Sequence, residues 1–495
     1  MIKRSLIVVH RWLGVAFCLF FVIWFPSGIG MMYWDFPEVT SADRLERAPA
    51  LDPSTIRVSP AQAVDALKQS HPPDQIRLNT FDGRPVYRVR AGRAEQIVYA
   101  DTGTMRGDIS PDVMTRVASA WTGQPAAAAT VEPIDVDQWT VQGSFRSLKP
   151  LWKYSWPGGE QVYVSQVSGD VVQYTTRASR LGAYLGPIPH WLYFTPLRKH
   201  QLAWSRVVIW SSGIGTVAAI AGLAIGVWMY SPAKRYRSQA GMTSIPYRGQ
   251  KRWHMVFGLI FGIGAATWAF SGMLSMDPFP LTRRGDRGDI PAALRGGVPV
   301  AALSTNPRSV LARLSNERVK ELELTSFDGE PVYIATIAGA GTRIVTTDGQ
   351  VRTAFDGDRI RRIVTDAAGP SGLAELREMA AYDWYYLDRR GARPLPVILA
   401  RVNDADQSRY YIDPRTARVV GTYRSSNWMS RWLYHGLHSL DAPWLYTHRP
   451  AWDIVVITFM LGGTALGVTS LMLAWRVVGR TLSRTVDSSA SQRVY

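Results

Sequence analysis

Four stretches of the chain, residues 12–34, 207–230, 254–276 and 454–475, contain no Asp, Glu, Lys or Arg. At about 1.5 Å of rise per residue each is long enough to cross roughly 30 Å of hydrocarbon. In lipid every backbone polar group must be satisfied within the segment, so the pattern predicts four membrane-spanning helices. Between the first and second, and between the third and fourth, the pattern changes to short β-rich runs separated by glycine turns. "RLNTFDGRPVYRVRAG", "EQIVYADTGTMRG" and "EQVYVSQVSGDVVQY" break at Asp-Gly, Thr-Gly and Ser-Gly, as hairpins do. Ahead of them "SPAQAVDALKQSHP" reads as a helix with Ser59 as N-cap and Pro60 in its first turn. The second interval repeats the theme with "STNPRSVLARLSN", "ELELTSFDGEPVYIATIAG", "TRIVTTDGQVRTA" and "SRYYIDPRTARVVGTY". The predicted class is a membrane α-helical protein carrying two α+β domains.

The landmarks recur at a nearly constant spacing, which is the sign of an internal repeat. "HRWLGVAFCLFFVIWFPSG" (10–28) aligns with "HMVFGLIFGIGAATWAFSG" (254–272) at an offset of 244. "FDGRPVY" aligns with "FDGEPVY" at 246, Trp139 with Trp384 at 245, "KHQLAWSRVVI" with "THRPAWDIVVI" at 248, and "WLY" at Trp191 with Trp432 at 241. The chain reads as two copies of one unit in parallel: helix, α+β domain, helix. The boundaries follow as a first span within 1–34, a domain at 35–205, a second span at 206–230, a basic loop at 231–252, a third span at 253–276, a second domain at 277–453, a fourth span at 454–476 and a tail at 477–495.

Charge orients this arrangement. The loop between spans two and three holds Lys234, Arg235, Arg237, Arg248, Lys251 and Arg252 and no acid, Lys3 and Arg4 precede span one, and Arg476, Arg480 and Arg484 follow span four. By the positive-inside rule both termini and this loop are cytoplasmic and the two domains lie outside. Much of the net charge of +17 is therefore topological, and no nucleic-acid partner is expected. The "MIKR" start resembles a signal peptide, but the apolar run is too long and no small-residue cleavage site follows, so an uncleaved span is expected. The single cysteine, Cys18, lies inside a span, so no disulfide staples the domains.

A helix followed by strands with "F.G..VY" and a "Y.D..TG" hairpin resembles the PepSY domain. Bracketed by "H.WLG…SG" and "WLYHGLHSLD…HRPAWDIVVI", the chain resembles the PepSY-associated transmembrane family along essentially its full length. That resemblance implies a bacterial inner-membrane protein with periplasmic PepSY-like domains. It also implies kinship with iron-regulated proteins, some of which are haem-containing reductases of ferric siderophores.

Few residues are suited to chemistry. No glycine-rich phosphate loop, nucleophile elbow, cysteine cluster or zincin helix is present. Histidine remains. His10 and His254 are repeat equivalents heading spans one and three, and His200 and His448 are repeat equivalents just before spans two and four. A six-coordinate haem b needs two neutral imidazoles at one depth on facing helices, and repeat-related helices provide that. His10 with His254 is one expected pair and His200 with His448 the other. His438 and His435 are held in reserve, because the 241 offset matches them to Leu197 and Phe194 respectively; His190 lies in the same approaches, and His71 receives no role. Arg11, Arg252 and Arg449 are candidate propionate partners or topogenic charges. The two histidine levels are expected about 35 Å apart, with Trp24 and Trp268 between them as relays or as interfacial belt residues. The aromatic "YDWYYLD" stretch is expected to line an acceptor cleft or to fill a sheet core.

The reading that unites these features is a membrane reductase with one or two b haems. Electrons would pass from a cytoplasmic or membrane donor to a periplasmic acceptor, a ferric siderophore by resemblance. The rival is a non-catalytic scaffold whose PepSY domains bind or restrain a periplasmic protein. A pump is disfavoured, because the spans contain no carboxylate.

Overall fold

The computed structural model describes residues 2–68, 72–92, 94–238, 241–279, 289–295, 297–298 and 303–491, without side chains from 482 onward; His71 falls outside these residues. Among the described residues four helices are long and apolar enough to cross a membrane: α1 (Ile2–Tyr33), α2 (Gln201–Met229), α3 (Gln250–Leu274) and α4 (Ala451–Ser491). The last exceeds its apolar stretch because residues 476–491 contain no proline and a single glycine, so nothing stops the helix. In the bundle, α1 packs against α2 and α4, and α3 packs against the same two. Helices α1 and α3 therefore face each other across the middle.

The basic loop forms a short hairpin, β8 (Tyr236–Ser238) with β9 (Gly241–Thr243). The other strands build the domains. The first half supplies β1 (Gln75–Phe81), β2 (Arg84–Ala91) and β3 (Ala94–Tyr99), and the second β10 (Val319–Phe327), β11 (Glu330–Ile337), β12 (Gly341–Thr346) and β13 (Val351–Arg352). These do not form two separate sheets, as two independent domains would. They join into one seven-stranded sheet of order β13-β12-β11-β10-β1-β2-β3. The seam is the antiparallel pairing of β1 with β10, in which Ile76 faces Leu324, Arg77 faces Glu323 and Leu78 faces Leu322. At an offset of 246 this register is symmetric about Arg77 and Glu323. Each half also has its own four-stranded sheet, β4 (Thr130–Ile134) to β7 (Val171–Thr175) and β14 (Leu373–Met379) to β17 (Arg418–Tyr423).

Strand alternation explains why the two edges meet. Residues Ile76, Leu78, Leu322 and Leu324 point to one face, where they join Ala63, Val310 and Leu311 of the helices Pro60–Ala66 and Pro307–Arg313 in a common core. Left unpaired, either strand would present an apolar edge to solvent. The opposite face is charged: Arg88 pairs with Asp170 at 2.8 Å and with Glu95 at 3.2 Å, Arg77 pairs with Glu95 at 2.6 Å, and Glu323 meets Arg418 of the second four-stranded sheet.

The shared sheet makes the two halves one cooperative unit. Leu322→Ala, at a fully buried position on the seam, is expected to cost about 2–5 kcal/mol. Thermal unfolding followed by limited proteolysis should expose cleavage sites in both domains in a single transition. Separate transitions would mean that the seam does not couple them.

Candidate functional site

Two pairs of histidines face each other. His10 of α1 and His254 of α3 have ring centroids 6.1 Å apart, at the end of the bundle remote from the sheets. His190 and His438 have centroids 5.9 Å apart, on the sheet side. The first pair follows from the bundle, since α1 and α3 are diagonal and their leading histidines project into the gap. The second comes from short helices that fold back beneath the spans. His190 lies in Pro187–Trp191 and His438 in Leu437–Ser439, and each helix is ended by a left-handed leucine, Leu192 (φ 53°) and Leu440 (φ 48°). The indole of Trp204 donates to the Trp191 carbonyl at 2.8 Å, and that of Trp452 donates to the Ser439 carbonyl at 2.9 Å. The repeated "AW" thus ties each histidine-bearing turn to the start of its following span. Gly30 lets α1 pass against the turn, because a Cβ there would lie 2.5 Å from the Leu185 carbonyl oxygen.

All four imidazoles are held by the same ring nitrogen. His10 Nδ1 donates to the Ala218 carbonyl at 2.9 Å. His254 Nδ1 lies 3.3 Å from Thr469 Oγ1 and 3.4 Å from Ser470 Oγ; both hydroxyls spend their hydrogens on the Leu466 carbonyl, so they accept from the ring. His190 Nδ1 faces the Trp24 carbonyl at 3.2 Å and Ser27 Oγ at 3.3 Å, and Ser27 donates to Ile23. His438 Nδ1 sits 2.9 Å from Ser271 Oγ, which donates to Trp268. Every ring therefore carries its hydrogen on Nδ1, and Nε2 keeps a lone pair with no hydrogen-bond partner among the described residues. Burial lowers the pKa of His190 to about 4 and of His438 to about 3, so both are neutral near pH 7. The duplicated Ser-Gly has a purpose here: Ser27 and Ser271 hold the two sheet-side rings, and Gly28 and Gly272 leave room beside them.

Each pair opens on a cavity. His10 and His254 line one of about 470 Å³, which is apolar in depth and has Arg11, Lys251, Arg476 and Arg480 among its lining. His190 and His438 line one of about 260 Å³ with Trp24, Trp191, Trp204 and Trp268. Phe21 and Phe25 belong to both walls and separate the two spaces. The rise along α1 from His10 to Ser27 is roughly 25 Å, so the levels are closer than the expected 35 Å. Trp24 and Trp268 flank the sheet-side pair, where the Trp268 indole donates to the His438 carbonyl at 2.9 Å. Arg252 bonds Thr243 of the hairpin, and Arg449 is paired with Asp453.

The expected pairing of His200 with His448 is corrected. Both are exposed, His200 at the N-cap of α2 and His448 beside Thr447, and they make no contact with each other among the described residues. They do occupy equivalent positions at the 248 offset, just before α2 and α4, but at both the side chain is exposed. The signal for the true partner was present. The 248 offset of "KHQLAWSRVVI" and "THRPAWDIVVI", continued upstream without a gap, matches His190 to His438. The "WLY" match at 241 is out of step with that run, which sets Trp191 against Ser439. His435 is exposed, and it does not share a simple α-helical face with His438, because Met429–Gly436 is a π-helix. Within the "YDWYYLD" stretch Tyr386 enters a sheet core, stacking on Tyr411 at 4.6 Å, and Asp383 accepts from the Tyr411 hydroxyl, while Trp384 is exposed.

Histidine-headed spans bracketing a sheet domain occur here within a matched family pattern: the PepSY-associated TM region matches residues 7–297. The chain belongs to that family. Comparison with curated proteins finds no match. The match takes in α1, α2 and α3 of this PepSY-associated membrane protein, and with them His10, His190 and His254.

The seating of His10 can be tested without any ligand. A Cβ on Gly222 would lie 2.5 Å from His10 Cε1, so Gly222→Ala must displace a ring anchored at Ala218. The expected cost is about 1–3 kcal/mol of overpacking, read as a lower unfolding midpoint in detergent. An unchanged midpoint would mean that the ring has room to move.

Proposed function

We propose that this PepSY-associated protein is a haem-containing reductase of the bacterial inner membrane. In this reading it passes electrons from a cytoplasmic or membrane donor to a periplasmic ferric siderophore, and it arose by tandem duplication of one helix–domain–helix unit. The observation that carries the reading is the pairing of four Nδ1-anchored imidazoles. A metal-ligating histidine typically donates its second ring nitrogen to a carbonyl or hydroxyl, as all four do. Two metal–nitrogen bonds of about 2 Å plus the two ring radii bring centroids to about 6 Å, close to both measured spacings. Among the described residues no group of three or more His, Cys, Asp or Glu could hold a bare metal ion. A haem would need only two imidazoles from the protein, and His10 with His254 and His190 with His438 would supply them.

His10 with His254, and His190 with His438, would each hold one haem b. When bound, the group supplies reversible one-electron exchange at a potential tuned by its imidazoles and the apolar cavity. The chain's own contribution is to fix the tautomer, exclude water and set the depth of each pair. Arg11, Lys251, Arg476 and Arg480 at the larger cavity suit the pairing of haem carboxylates. Phe21 and Phe25 keep the two sites separate yet adjacent. The basic β8–β9 loop supports a cytoplasmic position for the His10–His254 end. Reduction of Fe(III) weakens its hold on hard oxygen donors, which is the chemistry that frees iron from such chelators.

Absorption spectroscopy of the purified protein tests the reading. Wild type made with ample haem should give a Soret band that sharpens and shifts on dithionite reduction. His10→Ala or His254→Ala should remove one low-spin component, His190→Ala or His438→Ala the other, and His200→Ala and His448→Ala neither. A colourless wild type would overturn the reductase and leave the scaffold reading.

A further inference from the structure

The sheet-side pair is symmetric in its ligands and anchors but not in what lies beyond it. In the second half the ring of Tyr434 stands 5.6 Å from that of His438, and the ring of His435 stands 4.6 Å from that of Tyr434. Tyr434 lines the smaller cavity, while His435 is exposed. The three rings form a continuous file from the facing imidazoles to the surface. At the 248 offset the first half has Gly186 and Pro187 in place of Tyr434 and His435, so these two rings have no repeat equivalent.

The file depends on an uncommon backbone. Met429–Gly436 is a π-helix, a rare form that is frequently found at functional sites. It is pinned from within: Arg431 is buried, pairs with Asp441 at 2.8 Å and donates to the Trp384 carbonyl. Arg431 is thus neutralised in place. Arg393 is not. It lies within electrostatic reach of His435 and, with Arg389, of Tyr446. Neither Arg389 nor Arg393 forms an ion pair among the described residues; their guanidiniums rest instead over Trp452 and Tyr386. The exposed end of the file therefore has two arginines without ion pairs among the described residues in its surroundings, with the carboxylates of Asp388 and Asp441 also in reach.

We propose that electrons leave the His190–His438 pair across Tyr434 and His435, to an anionic ferric chelate docked at His435 near Arg393. This rests on the reductase reading and names its exit and the charge class of its acceptor. The haem that His190 and His438 would hold would be the one-electron donor, oxidised from ferrous to ferric as the electron crosses the two ring contacts and one ferric ion of the chelate is reduced to ferrous. No proton moves and no bond to the protein forms. The tyrosine acts through its ring and not its hydroxyl.

Two measurements on the full-length protein in nanodiscs test this. In the first, dithionite-reduced protein is mixed anaerobically with an anionic or a cationic ferric chelate and its reoxidation followed by absorbance. The anionic chelate should react faster. Tyr434→Leu and His435→Gln should slow it by an order of magnitude with unchanged oxidised and reduced spectra, and Tyr434→Phe should keep the wild-type rate. In the second, the redox-inert gallium(III) form of the anionic chelate is titrated into oxidised protein and followed by tryptophan fluorescence. Arg393→Gln should weaken binding several-fold. Wild-type rates in both Tyr434→Leu and His435→Gln would overturn the exit. Gallium chelate binding that ignores Arg393→Gln would overturn the docking site and leave this arginine to lipid phosphate. A wild type that no ferric chelate reoxidises would overturn the reductase reading itself, and the gallium titration, which needs no electron, would still decide the docking site.

Discussion

The hydrogen bond on Nδ1 is the constraint from which the rest of the bundle follows. A histidine inside an apolar bundle has two nitrogens to satisfy, and here the protein satisfies one and leaves the other. The backbone carbonyl of Ala218 and the hydroxyls of Thr469, Ser27 and Ser271 do this from helices that neighbour the ring-bearing element. Each such bond requires the neighbour to come close. Gly222 beside His10 and Gly30 beside the His190 turn are the points at which a larger residue would prevent it. The small residues of these spans are therefore placed by the imidazoles as well as by general helix packing.

The same constraint explains why two levels exist. The distal level needs only straight helices, because His10 and His254 lie on the spans themselves. The sheet-side level cannot be built that way, since α1 and α3 present serines there. The imidazoles are brought in from the connections, on turns tied down by Trp204 and Trp452. The domains do more than sit on the bundle: the segment leaving each four-stranded sheet delivers the histidine.

Much of this was legible in the sequence, and the failures have physical causes. The uncharged stretches gave the spans, and repeat symmetry gave His10 with His254, because helices in register bring equivalent residues to one depth. The same symmetry applied equally to His200 and His448, and sequence alone could not tell which face of a helix start they occupy. His190 and His438 were hidden by a choice of offset, since insertions between landmarks shift it from 244 to 248 and a short "WLY" match took precedence over the longer run. The merging of two sheets was not legible. Strand alternation announces a buried face, but it does not say which other edge will cover it.

The seam between β1 and β10 also bears on how copies of this protein meet. Its register is symmetric, so an edge like β1 could in principle pair with the same edge of another molecule. The charges at the centre oppose that. Arg77 faces Glu323 within the chain, whereas a β1 edge meeting its own copy would set Arg77 against Arg77, and a β10 edge would set Glu323 against Glu323. Each edge thus complements its partner and repels its twin. Strand exchange between neighbouring molecules in a crowded membrane is disfavoured by the same two side chains that close the sheet.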